Sequence, residues 1–266
     1  MPESPEVQAL AEFLAKRMVG HRIRTFTVRD QRVLKTRPAP DPAGEQVNGV
    51  LRFGKYLDID AGANHVVCSL GRHGWVRWHD TLPAEAAGAE VVARLGLDDG
   101  ATIDLVDAGE FRSVGVWIVP ETADVPGVRK LGPDPADLSF TRADFRRAVD
   151  GRRKMIKAIL QEQESLAGIG NAYSDEILFA AKIAPTVHAS ALDDDALDRL
   201  YTALTTTIRG AIDARRGLPP EEMKAAKVAA MAVHGRTGEP CPGCGGTVVD
   251  IAFGGTTAQY CPSCQH

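Results

Sequence analysis

Val125-Pro126-Gly127-Val128-Arg129-Lys130-Leu131-Gly132-Pro133-Asp134-Pro135 is the stretch at which the periodicity of this chain changes. On its N-terminal side lie short apolar runs separated by glycine and aspartate turn signals. They include Tyr56-Leu57-Asp58-Ile59, His65-Val66-Val67-Cys68, Trp75-Val76-Arg77-Trp78, Thr102-Ile103-Asp104-Leu105 and Val116-Trp117-Ile118-Val119. Such spacing predicts a β-sandwich or barrel. On its C-terminal side the period turns helical, over roughly 141–149, 154–164, 171–182, 193–214 and 220–232, as expected for amphipathic helices. Proline and glycine continue neither pattern, so they mark a linker, placed at 128–140. The fold class is therefore α+β, with strands first and helices after.

Working outward, the chain opens Met1-Pro2-Glu3-Ser4-Pro5-Glu6. Ser4 can cap a helix with Pro5 at its first position, and Val7, Leu10, Ala11, Leu14 and Met18 form one apolar face before Gly20 ends it. At the other end, Cys241-x2-Cys244 and Cys261-x2-Cys264 form two tight pairs sixteen residues apart. Two such knuckles supply four thiolates to one tetrahedral zinc, a structural site with no open position for water. Two disulfides fit poorly with pairs only three residues apart in a chain read as cytoplasmic. Cys68, in an apolar strand, reads as a core thiol.

Composition sets the outer limits. A chain of 266 residues with 44% hydrophobic and 25% charged residues is that of a soluble globular protein. No apolar run approaches the ~18 residues of a membrane span, and the N-terminus lacks a basic segment followed by an apolar core. A cytoplasmic protein with no membrane partner is expected. The net charge is -4, and residues 1–140 carry 16 Lys/Arg against 20 Asp/Glu, while 141–266 carry 15 of each. Any face for a polyanion must then be a local stripe.

Two motifs carry chemistry. Removal of Met1 would leave Pro2 as a secondary amine with the Glu3 carboxylate beside it. An α-amino group titrates near pH ~8, against ~10.4 for lysine, so a nucleophilic fraction exists at neutral pH. It could attack an electrophilic carbon to form a Schiff base. Gly168-Ile169-Gly170-Asn171-Ala172-Tyr173 reads as a tight turn feeding a helix N-terminus, either a phosphate site or a plain corner with an asparagine cap. Arg152-Arg153-Lys154 and Lys157 lie upstream of it.

Taken together, these residues resemble the formamidopyrimidine-DNA glycosylase and endonuclease VIII family of base-excision repair enzymes. Pro2-Glu3-Ser4-Pro5-Glu6 is similar to the family's N-terminal Pro-Glu-x-Pro-Glu, and Gly54-Lys55-Tyr56-Leu57 to the strand carrying its catalytic lysine. Leu131 to Pro135 resembles its linker. Gly168 to Tyr173 with Glu176 resembles its helix-two-turn-helix, and Val233-His234-Gly235-Arg236 through Cys264 resembles the approach to its zinc hairpin. The resemblance implies a catalytic β-sandwich domain over 1–127 with its N-terminal helix, a helix-two-turn-helix domain over 141–233 and a zinc-finger β-hairpin over 234–266.

It also implies roles. Pro2 would attack C1' of a damaged nucleotide, Glu3 would shuttle protons at the sugar, and Lys55 would contact phosphate and assist elimination. Arg72, Arg112 and Val114 stand where the family fills the void left by an extruded nucleotide; Arg152, Lys157 and Asn171 stand where it holds phosphates. The expected partner is damaged double-stranded DNA, met by a monomer near the nucleoid, and the expected cofactor is one structural Zn2+. Departures from the family pattern are Arg72 for methionine, Val114 for phenylalanine, and Thr256 for an arginine that grips the phosphate beside the lesion. Thr256 cannot supply that charge, so a full double elimination is not expected unless Arg236 or another cation replaces it. The segment from Gly217 to Val233 reads as a short turn and an Ala/Lys helix, where the guanine-lesion enzymes carry a longer loop. A damage-binding protein with weak or lyase-only activity is the alternative.

Overall fold

The computed structural model describes residues 1–83 and 88–266, leaving aside the side chain of Thr256. The chain separates into two compact units, one of residues 1–2, 6–130 and 215–224, the other of 3–5, 131–214 and 225–266.

In the first unit, helix α1 (Ser4–Met18), which belongs to it from Glu6 onward, is followed among the described residues by eight strands: β1 (Ile23–Val28), β2 (Gly49–Phe53), β3 (Tyr56–Ala61), β4 (Asn64–Ser69), β5 (Gly74–His79), β6 (Val91–Leu97), β7 (Thr102–Asp107) and β8 (Gly115–Val119). They form two antiparallel four-stranded sheets, in the orders β1-β6-β7-β5 and β2-β3-β4-β8. Their inner faces share one core. Leu57, Ile59, Val66 and Cys68 from one sheet meet Ala93, Leu95, Ile103 and Leu105 from the other, and Leu14 of α1 lies against both. Register is fixed by pairs such as Leu57↔Cys68 and Leu95↔Ile103, since a slip of one residue would turn these side chains outward. Cys68 is buried, and burial pushes its thiol up to about 12, so it packs as a small inert hydrophobe.

Buried carboxylates in this unit have partners. Asp104, nearly buried, accepts from Nε and Nη2 of Arg94 at 2.5 and 2.7 Å. Asp58 accepts from Thr122 Oγ1 at 2.6 Å and meets His65 Nδ1 at 3.1 Å. Burial still raises the Asp58 pKa above the ordinary carboxylate value. Arg215 reaches Glu6 of α1 at 2.9 Å, both side chains being 2% exposed. Trp75, Trp78 and Trp117 are only partly buried: Trp75 donates to the Pro220 carbonyl at 2.9 Å, and Trp117 stands edge-on to Tyr56.

After the short α2 (Pro126–Arg129), the second unit is built from α3 (Arg142–Val149), α4 (Ile156–Gln161), α5 (Asn171–Ala181), most of α6 (Asp194–Arg215) and the second half of α7 (Pro220–Ala230). It ends in an antiparallel hairpin of β9 (Val249–Phe253) and β10 (Thr256–Tyr260). Its core gathers Phe145, Ile156, Ile159, Leu160, Tyr173, Ile177, Leu200 and Leu204, among others. Helix starts follow the sequence: Thr141 and Asp144 form a capping box on α3, and Asp193 accepts from the Ala196 N-H at 2.8 Å ahead of α6. Gly132 is required where it stands, because a Cβ would come within 2.5 Å of the Glu164 carbonyl oxygen.

Candidate functional site

The helical unit holds Glu3 at the start of α5. Its side chain is 2% exposed, and its carboxylate accepts from the backbone N-H of Gly170 and, at 3.0 Å, from that of Ala172. These are two of the donors that a helix N-terminus leaves without an intrahelical partner. Lys227 Nζ approaches the same carboxylate at 3.4 Å while lying 4.7 Å from the centre of the Tyr173 ring. Both glycines of the motif are explained. Gly168 has a φ of +88°, and a Cβ on Gly170 would lie 2.6 to 2.9 Å from the Glu3 carboxyl atoms. The turn therefore binds an anion belonging to the chain itself, and the helix dipole favours its charge. Ser4 N-H donates to the Gly168 carbonyl at 2.9 Å, fixing the backbone beside Glu3.

Asn171 does not cap α5, since the cap position is Gly170. Its amide bridges two elements: Oδ1 accepts from Gln161 at 3.0 Å, and Nδ2 donates to the Thr257 carbonyl of β10 at 3.0 Å. Gln163, a residue the sequence did not single out, braces the turn by accepting from Gly168 N-H at 3.0 Å and donating to the Ile169 carbonyl at 2.8 Å. Nothing in its local pattern marked it.

Two of the expected phosphate contacts are engaged inside this unit. The Lys157 side chain is 0% exposed; its ammonium donates to Asp175 at 2.6 Å, Ser174 Oγ at 2.7 Å and the Asn171 carbonyl at 3.2 Å. Burial lowers its pKa, against the opposing pull of Asp175 and Glu3. Asp175 in turn meets His234 Nδ1 at 2.7 Å. Arg152 donates to Ser165 Oγ and Glu162, both at 2.7 Å, and Lys154, Ser165 and Arg152 hold the Glu162 carboxyl down to about 2. Glu176 fixes the segment after α7 by accepting from the N-H groups of Ala232, Val233 and His234 at 2.8 to 3.0 Å.

The sandwich unit holds the rest. Pro2 is half-buried, and Lys55 occupies the tight turn between β2 and β3, after Gly54 with a φ of +55°. Arg72 is exposed on the turn from Leu70 to Gly74, whose backbone is tied down because Arg72 and His73 N-H donate to Ser113 Oγ at 3.0 and 3.3 Å. Asp107 holds the facing loop, accepting from Gly109, Ser113 and Val114 N-H at 2.9, 2.6 and 2.9 Å. Arg112 spends its guanidinium on the carbonyls of Asp107, Gly109 and Ala89 and on Asp30. Val114 is 1% exposed and belongs to the core, while Phe111, which sequence reasoning passed over, is 83% exposed.

The four cysteines lie together in the hairpin, with Sγ atoms within 4.8 Å of one another. Cys241 to Cys264 measures 3.8 Å and Cys244 to Cys261 3.6 Å. A tetrahedral zinc with bonds of ~2.3 Å requires sulfur separations of about 3.8 Å. Backbone N-H groups of Gly243 and Gly246 point at Cys241 and Cys244 sulfurs at 3.4 Å, the outer support thiolate ligands need. The residues present fit one structural zinc ion.

Three family models match along the chain. Residues 1–114 match the formamidopyrimidine-DNA glycosylase N-terminal domain, 131–218 the formamidopyrimidine-DNA glycosylase H2TH domain, and 238–266 the zinc finger found in FPG and IleRS. The formamidopyrimidine-DNA glycosylase of Heliobacterium modesticaldum is 32% identical over 278 residues, covering all of both chains. That of Streptococcus thermophilus is 30% identical over 276 residues, covering 100% of this chain and 99% of its own. Among solved structures, MutM in complex with DNA containing carbocyclic 8-oxo-G superposes with a TM-score of 0.87 at 28% identity over all of both chains. Lactococcus lactis Fpg in complex with abasic-site DNA gives 0.86 at 26% identity over 99% of each. With its α+β architecture, its helix-two-turn-helix and its zinc hairpin, the chain belongs to the formamidopyrimidine-DNA glycosylase family, enzymes that act as DNA glycosylases with AP lyase activity.

Proposed function

We propose that this protein excises oxidised or ring-opened bases from duplex DNA and nicks the resulting abasic site, using Pro2 as nucleophile once Met1 has been removed. The observation that carries this reading is the placement of Glu3. A carboxylate 2% exposed, held by two N-H groups at the start of α5, is covalently adjacent to the residue whose nitrogen becomes a secondary amine. A buried acid fixed by backbone donors has one orientation only, which is what positioned proton transfer requires.

The Pro2 nitrogen forms a bond to C1' of the damaged nucleotide as the glycosidic bond breaks, and the base leaves with that electron pair and a proton. The sugar ring oxygen departs from C1' and takes a proton by way of Glu3, giving an iminium on Pro2. Loss of a C2' proton then expels the 3' phosphate, a step assigned to Lys55 as the assisting cation. Water finally hydrolyses the iminium and frees Pro2. Extrusion of the nucleotide costs a few kcal/mol, least for a damaged base.

Arg72, Arg112, Arg152, Lys157 and Asn171 remain the residues proposed to build the DNA-binding face, by direct contact or by holding its backbone. Exposure favours Arg72 as the direct contact, while Lys157 and Asn171 act by shaping the turn. Thr256 lies on β10 with its side chain outside the described residues, so the single-elimination expectation stands on sequence alone. The domains are proposed as 1–127, 141–233 and 234–266, joined by the 128–140 linker. No helix among the described residues is long and apolar enough to cross a membrane. Action as a cytoplasmic monomer on the nucleoid is part of the proposal. The test is a panel of duplexes, each with one oxidised or ring-opened base, read for released base and cut strand. Base release with strand cleavage is expected; tight binding with neither product would favour the damage-binding alternative.

A further inference from the structure

We propose that Lys227 is a positioning residue for the reaction, the cation that holds the Glu3 carboxylate charged and sets how readily it passes on a proton; the inference rests on the glycosylase reading above. Lys227 Nζ lies 3.4 Å from Glu3 Oε1, with the two side chains 11% and 2% exposed. It also stands 4.7 Å from the centre of the Tyr173 ring. Tyr173 is 1% exposed and lies in the first turn of α5, the helix end whose Gly170 and Ala172 N-H groups hold the same carboxylate. The ammonium is therefore held from two sides, by the ring face and by Glu3.

Burial drives a carboxylate towards its neutral form, and an opposite charge within ~4–6 Å drives it back. The cations around Glu3 share this task unequally. From α4, Lys157 feels the charge of Glu3, but its ammonium is bonded to Asp175 of α5 at 2.6 Å, so that pair carries no net charge. Asp175 also meets the His234 ring. From α7, Lys227 brings its ammonium to the Glu3 oxygen itself. The two backbone N-H groups supply direction and partial charge; Lys227 adds a full positive charge.

That charge has a use in the chemistry. The Pro2 amine and the Glu3 carboxylate must hold one proton between them. With two, the amine is an ammonium and cannot bond to C1'; with none, the sugar ring oxygen has no donor. In the singly protonated pair the proton passes from the Pro2 nitrogen to Glu3, and from Glu3 to the ring oxygen as its bond to C1' breaks, so Glu3 ends as it began. The rate is then bell-shaped in pH, and the acidic limb belongs to the carboxylate of the pair. A neighbouring ammonium disfavours protonated Glu3. It keeps that limb at lower pH and makes the acid formed in mid-reaction a readier donor. Lys227 forms no bond in this sequence and acts through Glu3.

The test follows the single-turnover rate of borohydride-trapped adduct on an abasic-site duplex against pH, each variant being compared with the native processed chain at the same pH. Lys227→Met keeps the length of the side chain and removes its charge. Its acidic limb should move up by about one pH unit, which on the limb is about a tenfold slower reaction. Lys227→Arg should restore the native limb, and Lys224→Met, which removes an exposed cation from the same helix, should leave it in place. A second measurement needs no catalysis: the 13C resonance of the Glu3 carboxyl, assigned with Glu3→Gln, should titrate at higher pH in Lys227→Met than in the native chain. A rate loss spread evenly over pH with limb and resonance unmoved, or a limb that Lys227→Arg fails to restore, would overturn the inference and leave the glycosylase standing. No trapped adduct from the native chain at any pH would instead overturn the glycosylase reading, and the inference with it.

Discussion

Arg72 and Lys157 are indistinguishable as cations on a sequence listing, yet folding sends them to opposite places. Arg72 rides a glycine-bounded turn into solvent, while the Lys157 ammonium is sealed between Asp175, Ser174 and the Asn171 carbonyl. The difference predicts different phenotypes. Lys157→Met strips the ammonium from the buried Asp175 carboxylate and leaves it only the His234 ring, which costs about 3–5 kcal/mol; denaturant unfolding should show that loss, and the salt slope of DNA binding measured below the unfolding transition should not change. Arg72→Ala should leave stability within ~0.5 kcal/mol and flatten the slope of log K against log salt by about one unit. A flattened slope in Lys157→Met would contradict the assignment. Pattern reading found the charge but not its depth, because depth depends on Asp175 eighteen residues away and on the helix packing that joins them. Glu3 shows the reverse case. Its place beside Pro2 was legible, whereas its bonds to Gly170 and Ala172 span more than 160 residues and leave no local trace.

At the level of elements, strongly periodic segments were read well. Helix α1, the five quoted strand runs and all five helical segments are present within a few residues of the expected bounds. Strands β1, β2 and β6 were not among the runs quoted. β1 carries Arg24 and two threonines, β6 has Arg94 and Gly96 inside it, and each forms through its neighbour's ladder more than through its own pattern. The cysteine hairpin was the most legible element, since ligand spacing alone dictates a tetrahedral site. It also supports Asn171 through the Thr257 carbonyl and is anchored by Gln265 Nε2 on the Ile183 carbonyl at 2.9 Å. Metal removal should therefore do more than loosen a tail. Elemental analysis should give one zinc per chain, and a strong chelator should strip amide-exchange protection from 238–266 and weaken DNA binding. Full protection of β9 and β10 after demetallation would show that the hairpin stands without the ion.

For the whole molecule, the net charge of -4 argued against a polyanionic partner, and only the order of motifs along the chain outweighed it. Composition averages over a surface, whereas a phosphate-tracking enzyme needs cations in a few places. The fold follows from two units, each with its own core, and the chemistry is assigned to the first residues of the chain. That assignment is the central claim, and it is tested by borohydride reduction of the protein on an abasic-site duplex, with intact mass used to read the N-terminus. Chains that begin at Pro2 should form a covalent adduct whose mass localises to the N-terminal peptide, and chains retaining Met1, in which the Pro2 nitrogen is an amide, should form none. Pro2→Gly should trap more slowly through its primary amine. An adduct formed equally well by Met1-retaining protein, or mapped to a lysine, would contradict the account.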